Sequence, residues 1–408
     1  MSARLRLSSE ELLAEARRVS GIDRIDAEAS EPLSVMVRAL NTESNLHAEG
    51  ARAMESRLIR ILANRLRMQR DFAEHPEIAE QKVTAPLFIC GLGRTGSTKA
   101  QKLLATSGDF NWLCFWKVLN PSLLTGRRDE DVAPRIADAD AYLYWFDTAS
   151  PETKYAHFFE LHDAEEESLI LEHSLYSPVG LGWSPIPGYL DWLLQQDLRM
   201  QFRYLRDTLK YLQWQGLADP GKPWVLKSPL YPGLEPFLLD VFPDARLLMT
   251  HREPVKCIAS ALRLLELFYK PFTDAPIDPA GYVEGQAAAI EQHLRNRTSM
   301  PGMPVVDLHF DALVGDSEQA MASVYAGLGM PMSSDARRRI AGWDDHNPQH
   351  AKGVHKYALA DYGLDAAYIN ARFGSYDAFL KESFHSRGVS RTEPVSPASD
   401  PNLIVNRT

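Results

Sequence analysis

Cysteine is scarce in this sequence of 408 residues. Cys90, Cys114 and Cys257 stand at no metal-ligand spacing, and their odd number argues against a disulfide framework. Each sits in an apolar stretch, where the expected role is a small buried hydrophobe. A reducing compartment follows, most simply the cytoplasm. Long apolar runs are missing too, so no membrane span is expected. The first residues, MSARLRLSSEELLAEARRV, are charged throughout and lack the apolar core of a signal peptide. Positive charge is in deficit: 44 Lys and Arg against 54 Asp and Glu give a net charge of −10. Nucleic acid and anionic membrane are therefore not expected partners, and a polyanionic ligand has to be met by a local basic cluster.

What is there is the balance of a soluble globular protein, 45% hydrophobic and 24% charged. The length suits one large α/β domain with an appendage, or two domains. Residues 1–85 read as a helical extension. Ser8 with Glu11 forms a capping-box start before Leu12, Leu13 and Ala16. From about Asn45 to Phe72, Met54, Leu58, Ile61, Leu62 and Leu66 recur at helical spacing with arginines between them. No catalytic grouping appears there. The expected role is packing on the main domain or on a partner subunit, the latter a route to a homo-oligomer.

At Pro86 the pattern changes to PLFIC, then GLGRTGST, then KAQKLLATSG: strand, glycine-rich turn, helix. The apolar runs FNWLCFW from Phe110, PWVLKS from Pro223, ARLLMTHR from Ala245 and PVVDLHF from Pro304 read as further strands. Helical segments alternate with them, which predicts an α/β fold over residues 86–384 with a mainly parallel central sheet flanked by helices. An aromatic-rich helix is expected between Pro187 and Gln215, and a polar tail over residues 385–408.

The glycine turn admits three readings. Gly91-x-Gly93-x-x-Gly96 matches the dinucleotide fingerprint, but no acidic residue follows the second run, which ends in Trp116 and Lys117. Gly91 and Gly96 also have Walker-A spacing, yet Ser97 stands where that motif needs lysine, which counts against ATP or GTP hydrolysis. The third reading uses the residues present. Amides of Gly93, Arg94, Thr95, Gly96, Ser97 and Thr98 at a helix N-terminus, the charge of Arg94 and the hydroxyls of Ser97 and Thr98 cradle a phosphate or phosphosulfate without a metal. Further on, Arg252 ends an apolar strand, and Ser260 lies eight positions later in a helical stretch, about two turns away and able to face back. Together they offer a site for a second phosphate.

The pairing of GLGRTGST with HREPVKCIAS resembles the sulfotransferase family that uses 3′-phosphoadenosine-5′-phosphosulfate (PAPS). The first is similar to that family's 5′-phosphosulfate loop and the second to its 3′-phosphate motif. WVLKSP, Trp224 to Pro229, resembles the segment that precedes the 3′-phosphate motif in bacterial members. AKGVHKY, at Ala351 to Tyr357, resembles a degenerate form of a late loop that closes over the nucleotide, through Lys352 and Gly353. The similarity runs from about Pro86 to about Leu380. It implies a P-loop NTPase-like fold and an enzyme that moves a sulfuryl group from PAPS to a hydroxyl, less readily an amine, of a small acceptor.

In such an in-line displacement the protein supplies alignment, charge stabilisation and a base. Arg94 and Lys227 are the expected groups on the leaving phosphate. The resemblance implies a histidine or carboxylate base within HFFELHDAEEES, where His157, Glu160, His162, Glu165 and Glu166 all stand; His157 is the choice made on its titration range. Lys117 departs from the family, many members of which carry an acid after that tryptophan. Trp183, Tyr189 and Trp192 are the expected lining for an apolar alcohol or phenol. Two rivals remain: a P-loop small-molecule kinase, and a non-catalytic nucleotide-binding scaffold protein.

Overall fold

In the computed structural model, residues 6–24, 26–347, 356–385 and 403–405 are described. Lys352, Gly353 and most of the polar tail lie outside them.

Ser8 accepts the Glu11 amide and opens α1 (Ser9–Ser20). Asp26 caps α2 (Ala27–Thr42), and His47 caps α3 (Ala48–Glu74) through its ring nitrogen. On α3 the apolar face expected from the spacing is buried, but so are two of the arginines between those residues. Arg57 is held by Glu172 through both its Nε and Nη2, and Arg65 by Asp26. A one-turn α4 (Glu77–Glu80) leads into the sheet.

Then come β1 (Leu87–Cys90), α5 (Ser97–Ser107), α6 (Phe115–Leu119), α7 (Ala133–Ala149), α8 (Thr153–Ala156) and α9 (Ser168–His173). They are followed by α10 (Pro187–Leu193), α11 (Arg199–Trp214), β2 (Val225–Lys227), α12 (Glu235–Val241), β3 (Arg246–His251) and α13 (Pro254–Tyr269). The last are α14 (Pro279–Ser299), β4 (Val305–His309), α15 (Phe310–Gly315), α16 (Ser317–Gly327), α17 (Ser334–His346), α18 (Ala366–Arg372) and α19 (Gly374–Leu380).

All four strands of the main sheet are parallel, in the order β2-β1-β3-β4. The two inner faces alternate along each strand. Leu87, Ile89, Val225 and Leu248 meet α5 and α16, whereas Phe88, Cys90, Leu226 and Met249 face the larger core. That larger core also takes in Leu12, Leu33, Leu58 and Leu62 of α1–α3, so the N-terminal helices and the sheet share one hydrophobic interior.

Two expectations need correction. FNWLCFW is not a ladder strand: Asn111 makes a single parallel bridge to Trp224, Cys114 one antiparallel bridge to Ala164, and α6 begins at Phe115. The run is apolar because it is buried all round, Phe110 in one core and Leu113, Cys114 and Phe115 in the other. The segment from Pro187 to Gln215 is two helices, interrupted where Asp197 accepts the Arg199 amide at 3.1 Å. Among the described residues no helix is long and apolar enough to cross a membrane.

Candidate active site

The turn after β1 is shaped by contacts only glycine permits. Gly91 has φ 141°, and a Cβ there would fall 2.5 Å from Thr250 Oγ1 and 2.6 Å from Thr250 O. Gly96, at φ 86°, is the N-cap of α5. Arg94 also adopts a left-handed conformation, φ 73°, which a non-glycine residue takes only when its surroundings hold it there. The Thr95 hydroxyl is spent internally, donating to Leu92 O at 2.8 Å and lying 2.7 Å from Thr250 Oγ1, so only its amide is left for a ligand. Ser97 is half-buried and Thr98 exposed at the first turn of α5, where helix amides have no intrahelical acceptor.

The strand-end arginine converges on this turn. Arg252 Nη1 donates to Arg94 O at 3.1 Å, and its guanidinium lies 3.9 Å from the Phe310 ring centroid. Arg94 Nε donates to Ser260 Oγ at 2.9 Å and Nη1 to Ala156 O at 3.0 Å. Arg252 is 7% exposed, and its Nε is buried without a hydrogen-bond partner. Ahead of it, His251 is fixed at both nitrogens, by Tyr376 Oη and by Asp307 Oδ1, each at 2.9 Å. Cys257 lies against the same turn, and burial pushes its thiol up to about 12, so it stays protonated.

At the end of β2, Lys227 is buried. Its ammonium is hydrogen-bonded to Glu166 Oε1, and its amide donates to Glu167 Oε2 at 2.7 Å. Burial pushes the Glu167 carboxyl up to about 7, against the hydrogen bonds from Tyr231 and the Lys227 amide. His157 ends α8, its Nε2 lying 3.3 Å from Glu165 Oε1 without hydrogen-bond alignment. Burial raises the Glu165 carboxyl, but His157 beside it and the Glu166 amide more than offset this and hold it below the usual range. His157, Glu165 and Glu166 bring one polar atom each within 4.8 Å of one another. The other candidates point elsewhere: His162 is exposed, and Glu160 pairs with Lys102. Lys117 lies away from the site, donating to Leu217 O at 3.0 Å, and burial lowers its pKa.

A model of the sulfotransferase family matches residues 86–334, more than half of the chain. The chain belongs to the sulfotransferase family. No curated protein sequence matches it. Among solved structures it is similar to sulfotransferase STF1 from Mycobacterium tuberculosis H37Rv, with 25% identity and a TM-score of 0.77, over 91% of this chain and 100% of that one. Sulfotransferase STF9 from Mycobacterium avium is 23% identical, also with a TM-score of 0.77, over 91% and 96% of the two chains. Because residues 1–85 are about a fifth of the chain, coverage of 91% takes in at least part of this helical extension as well.

In this sulfotransferase the three aromatics expected at the acceptor site part company. Trp183 packs edge-on or tilted against Phe146, Phe268 and Phe272, and Phe268 and Phe159 in turn flank His157. Tyr189 is a core residue with its hydroxyl spent on Leu175 O, and Trp192 packs on Tyr189 and Tyr176 and donates to Glu31 of α2. The Tyr189 hydroxyl is thus paired just after α9 and the Trp192 indole with α2, contacts that place both side chains in the packing around α10. Sequence reasoning missed Phe310, Phe159 and Glu167. Only the run of acids from Glu165 to Glu167 carried a signal, and it named no partner.

Proposed function

We propose that this protein uses PAPS as donor and transfers its sulfuryl group to a hydroxyl, less readily an amine, of a small apolar acceptor. The observation that carries this reading is the meeting of two anion-binding motifs at one point. Arg252 and Ser260, from β3 and α13, both bond Arg94 of the turn after β1. The buried, unpartnered Nε of Arg252 fits a 3′-phosphate oxygen. The open first turn of α5, with amides from Gly93 to Thr98, suits the phosphosulfate.

The bound donor supplies a sulfuryl group on a phosphate leaving group. Arg94 and Lys227 then stabilise charge on that phosphate, and the dry surroundings of Lys227 make the interaction strong. His157, between Phe159 and Phe268, takes the acceptor proton at its imidazole, and Glu165 beside it stabilises the cation formed. The aromatic cluster from Trp183 to Phe268 gives the acceptor its apolar character. Three free, buried cysteines agree with a reducing, cytoplasmic setting.

The test is calorimetric titration with 3′,5′-adenosine bisphosphate against 5′-AMP, followed by transfer of labelled sulfate to phenols, sterols and alkanols. The bisphosphate should bind far more tightly, and transfer should persist in EDTA because the anion site supplies its own donors. Equal binding of both nucleotides overturns the donor assignment. No sulfate transfer, with Mg²⁺-dependent phosphoryl transfer from ATP to the same acceptors instead, favours a kinase.

A further inference from the structure

Lys227, the ammonium given to the leaving phosphate, already has a counter-ion. Its side chain is 4% exposed and that of Glu166 is 18% exposed, so solvent screens their pairing little. The neighbouring Glu167 holds the amide of the same lysine. Two consecutive carboxylates thus grip one residue, one through its side chain and one through its backbone. They differ in freedom, since Glu167 is fully buried and also receives Tyr231, while Glu166 keeps an edge to solvent. Beyond Lys227, Glu166 faces His157 and Glu165.

Glu166 draws the Lys227 ammonium toward its own carboxylate, and a nucleotide 5′-phosphate, with more negative charge, competes for the same cation. Resting on the donor reading above, we propose that the Lys227–Glu166 pair is a donor-operated latch. In the nucleotide-free enzyme Glu166 holds Lys227. The 5′-phosphate draws the ammonium away and leaves Glu166 as an unneutralised carboxylate beside His157. The released carboxylate favours the imidazolium that His157 becomes on taking the acceptor proton. Proton-accepting power therefore rises only after the donor has bound. Glu166 is a positioning residue, acting through Lys227 and His157. Opening the latch costs free energy, and that cost weakens nucleotide affinity by the fraction of molecules already open.

The experiment is calorimetric titration of wild type, Glu166→Gln, Lys227→Met and the double variant with 3′,5′-adenosine bisphosphate. 3′-AMP, which lacks the 5′-phosphate, is the control. Glu166→Gln should tighten the bisphosphate by roughly 5–10-fold, as expected when a pre-equilibrium tax is removed, and leave 3′-AMP unchanged. Its kcat should fall while the KM for donor also falls, a split that a merely structural role does not give. The tightening should vanish on the Lys227→Met background; general relief of negative charge would persist there. Glu166→Asp, which keeps the charge, should restore most of kcat and covers the case in which Glu166→Gln fails to fold. Unchanged or weaker bisphosphate affinity in a folded Glu166→Gln protein overturns the latch, as does equal tightening on the Lys227→Met background. Failure of the wild type to bind the bisphosphate overturns the donor reading and the latch with it, whereas normal wild-type binding with no effect of Glu166→Gln removes the latch alone.

Discussion

Arg94 joins three stretches of chain: its carbonyl accepts Arg252, and its guanidinium reaches Ser260 and Ala156. Binding and proton transfer should therefore separate cleanly in variants. Arg252→Ala removes a charged hydrogen-bond donor from the proposed 3′-phosphate site and should weaken 3′,5′-adenosine bisphosphate by roughly tenfold or more by calorimetry. His157→Ala should leave that affinity within about twofold and lower kcat by roughly a hundredfold, the scale of a lost general base. A fully active His157→Ala enzyme would move the base to Glu165 or Glu166. The arginine and serine were legible because eight positions of strand end and helix fix their relation locally. The carboxylates on Lys227 were not, since Glu166 and Glu167 lie about sixty residues before it and only the tertiary fold brings them there. Likewise, the pairing of Tyr189 with Leu175 was not legible, because an aromatic at helical spacing does not reveal where its hydroxyl is bonded.

Elements were legible wherever one pattern had one cause. The strands β1 to β4 all announced themselves as short apolar runs between turn residues, and the capping serine of α1 sits where the sequence put it. FNWLCFW misled because burial from both sides produces the same apolar run with or without a ladder. On α3 the periodicity located the apolar face but gave no hint that Arg57 and Arg65 are buried beside it. These two arginines tie α3 to α9, since Arg57 meets Glu172 and Arg65 also donates to His173 O at 3.0 Å. Arg65→Ala leaves Asp26 buried without its cation and should cost about 3–5 kcal/mol. Urea unfolding would show the loss as a lower midpoint, still in a single transition because one core spans both parts.

For the molecule as a whole, acid should be the weak side. His173 is buried, and burial together with Arg57, Arg60 and Arg65 holds its pKa down to about 3. His251 is likewise lowered by burial, against the pull of Asp307. An unfolded chain takes up these protons near pH 6.5 and the folded one does not, so stability is full above that value and falls as pH drops below it. Each such histidine adds a slope of at most about 1.4 kcal/mol per pH unit. Asp307 extends the loss: burial raises it, but His251 and Arg297 pull it down to about 2, so its contribution is present above about pH 4 and fades toward pH 2. Glu167, raised by burial to about 7, works the other way over the same range, because the folded protein keeps a proton that the unfolded chain has lost, so the urea midpoint should decline below pH 6.5 less steeply than the two histidines alone would give. His173→Gln should flatten the upper part of that decline. A His173→Gln variant with the same pH dependence as wild type would contradict this assignment of the buried histidine.

The sheet order also has a consequence for synthesis on the ribosome. β1 is a central strand whose neighbours, β2 and β3, are encoded about 140 and 160 residues later, Leu87 pairing with Val225 and Arg246. At typical elongation rates it emerges roughly 7–30 s before either edge can be covered. For that interval Leu87, Phe88, Ile89 and Cys90 are an open template for pairing with the same strand of a neighbouring nascent chain. Slow translation or crowded polysomes should therefore lower the soluble yield of this protein more than its final stability would indicate.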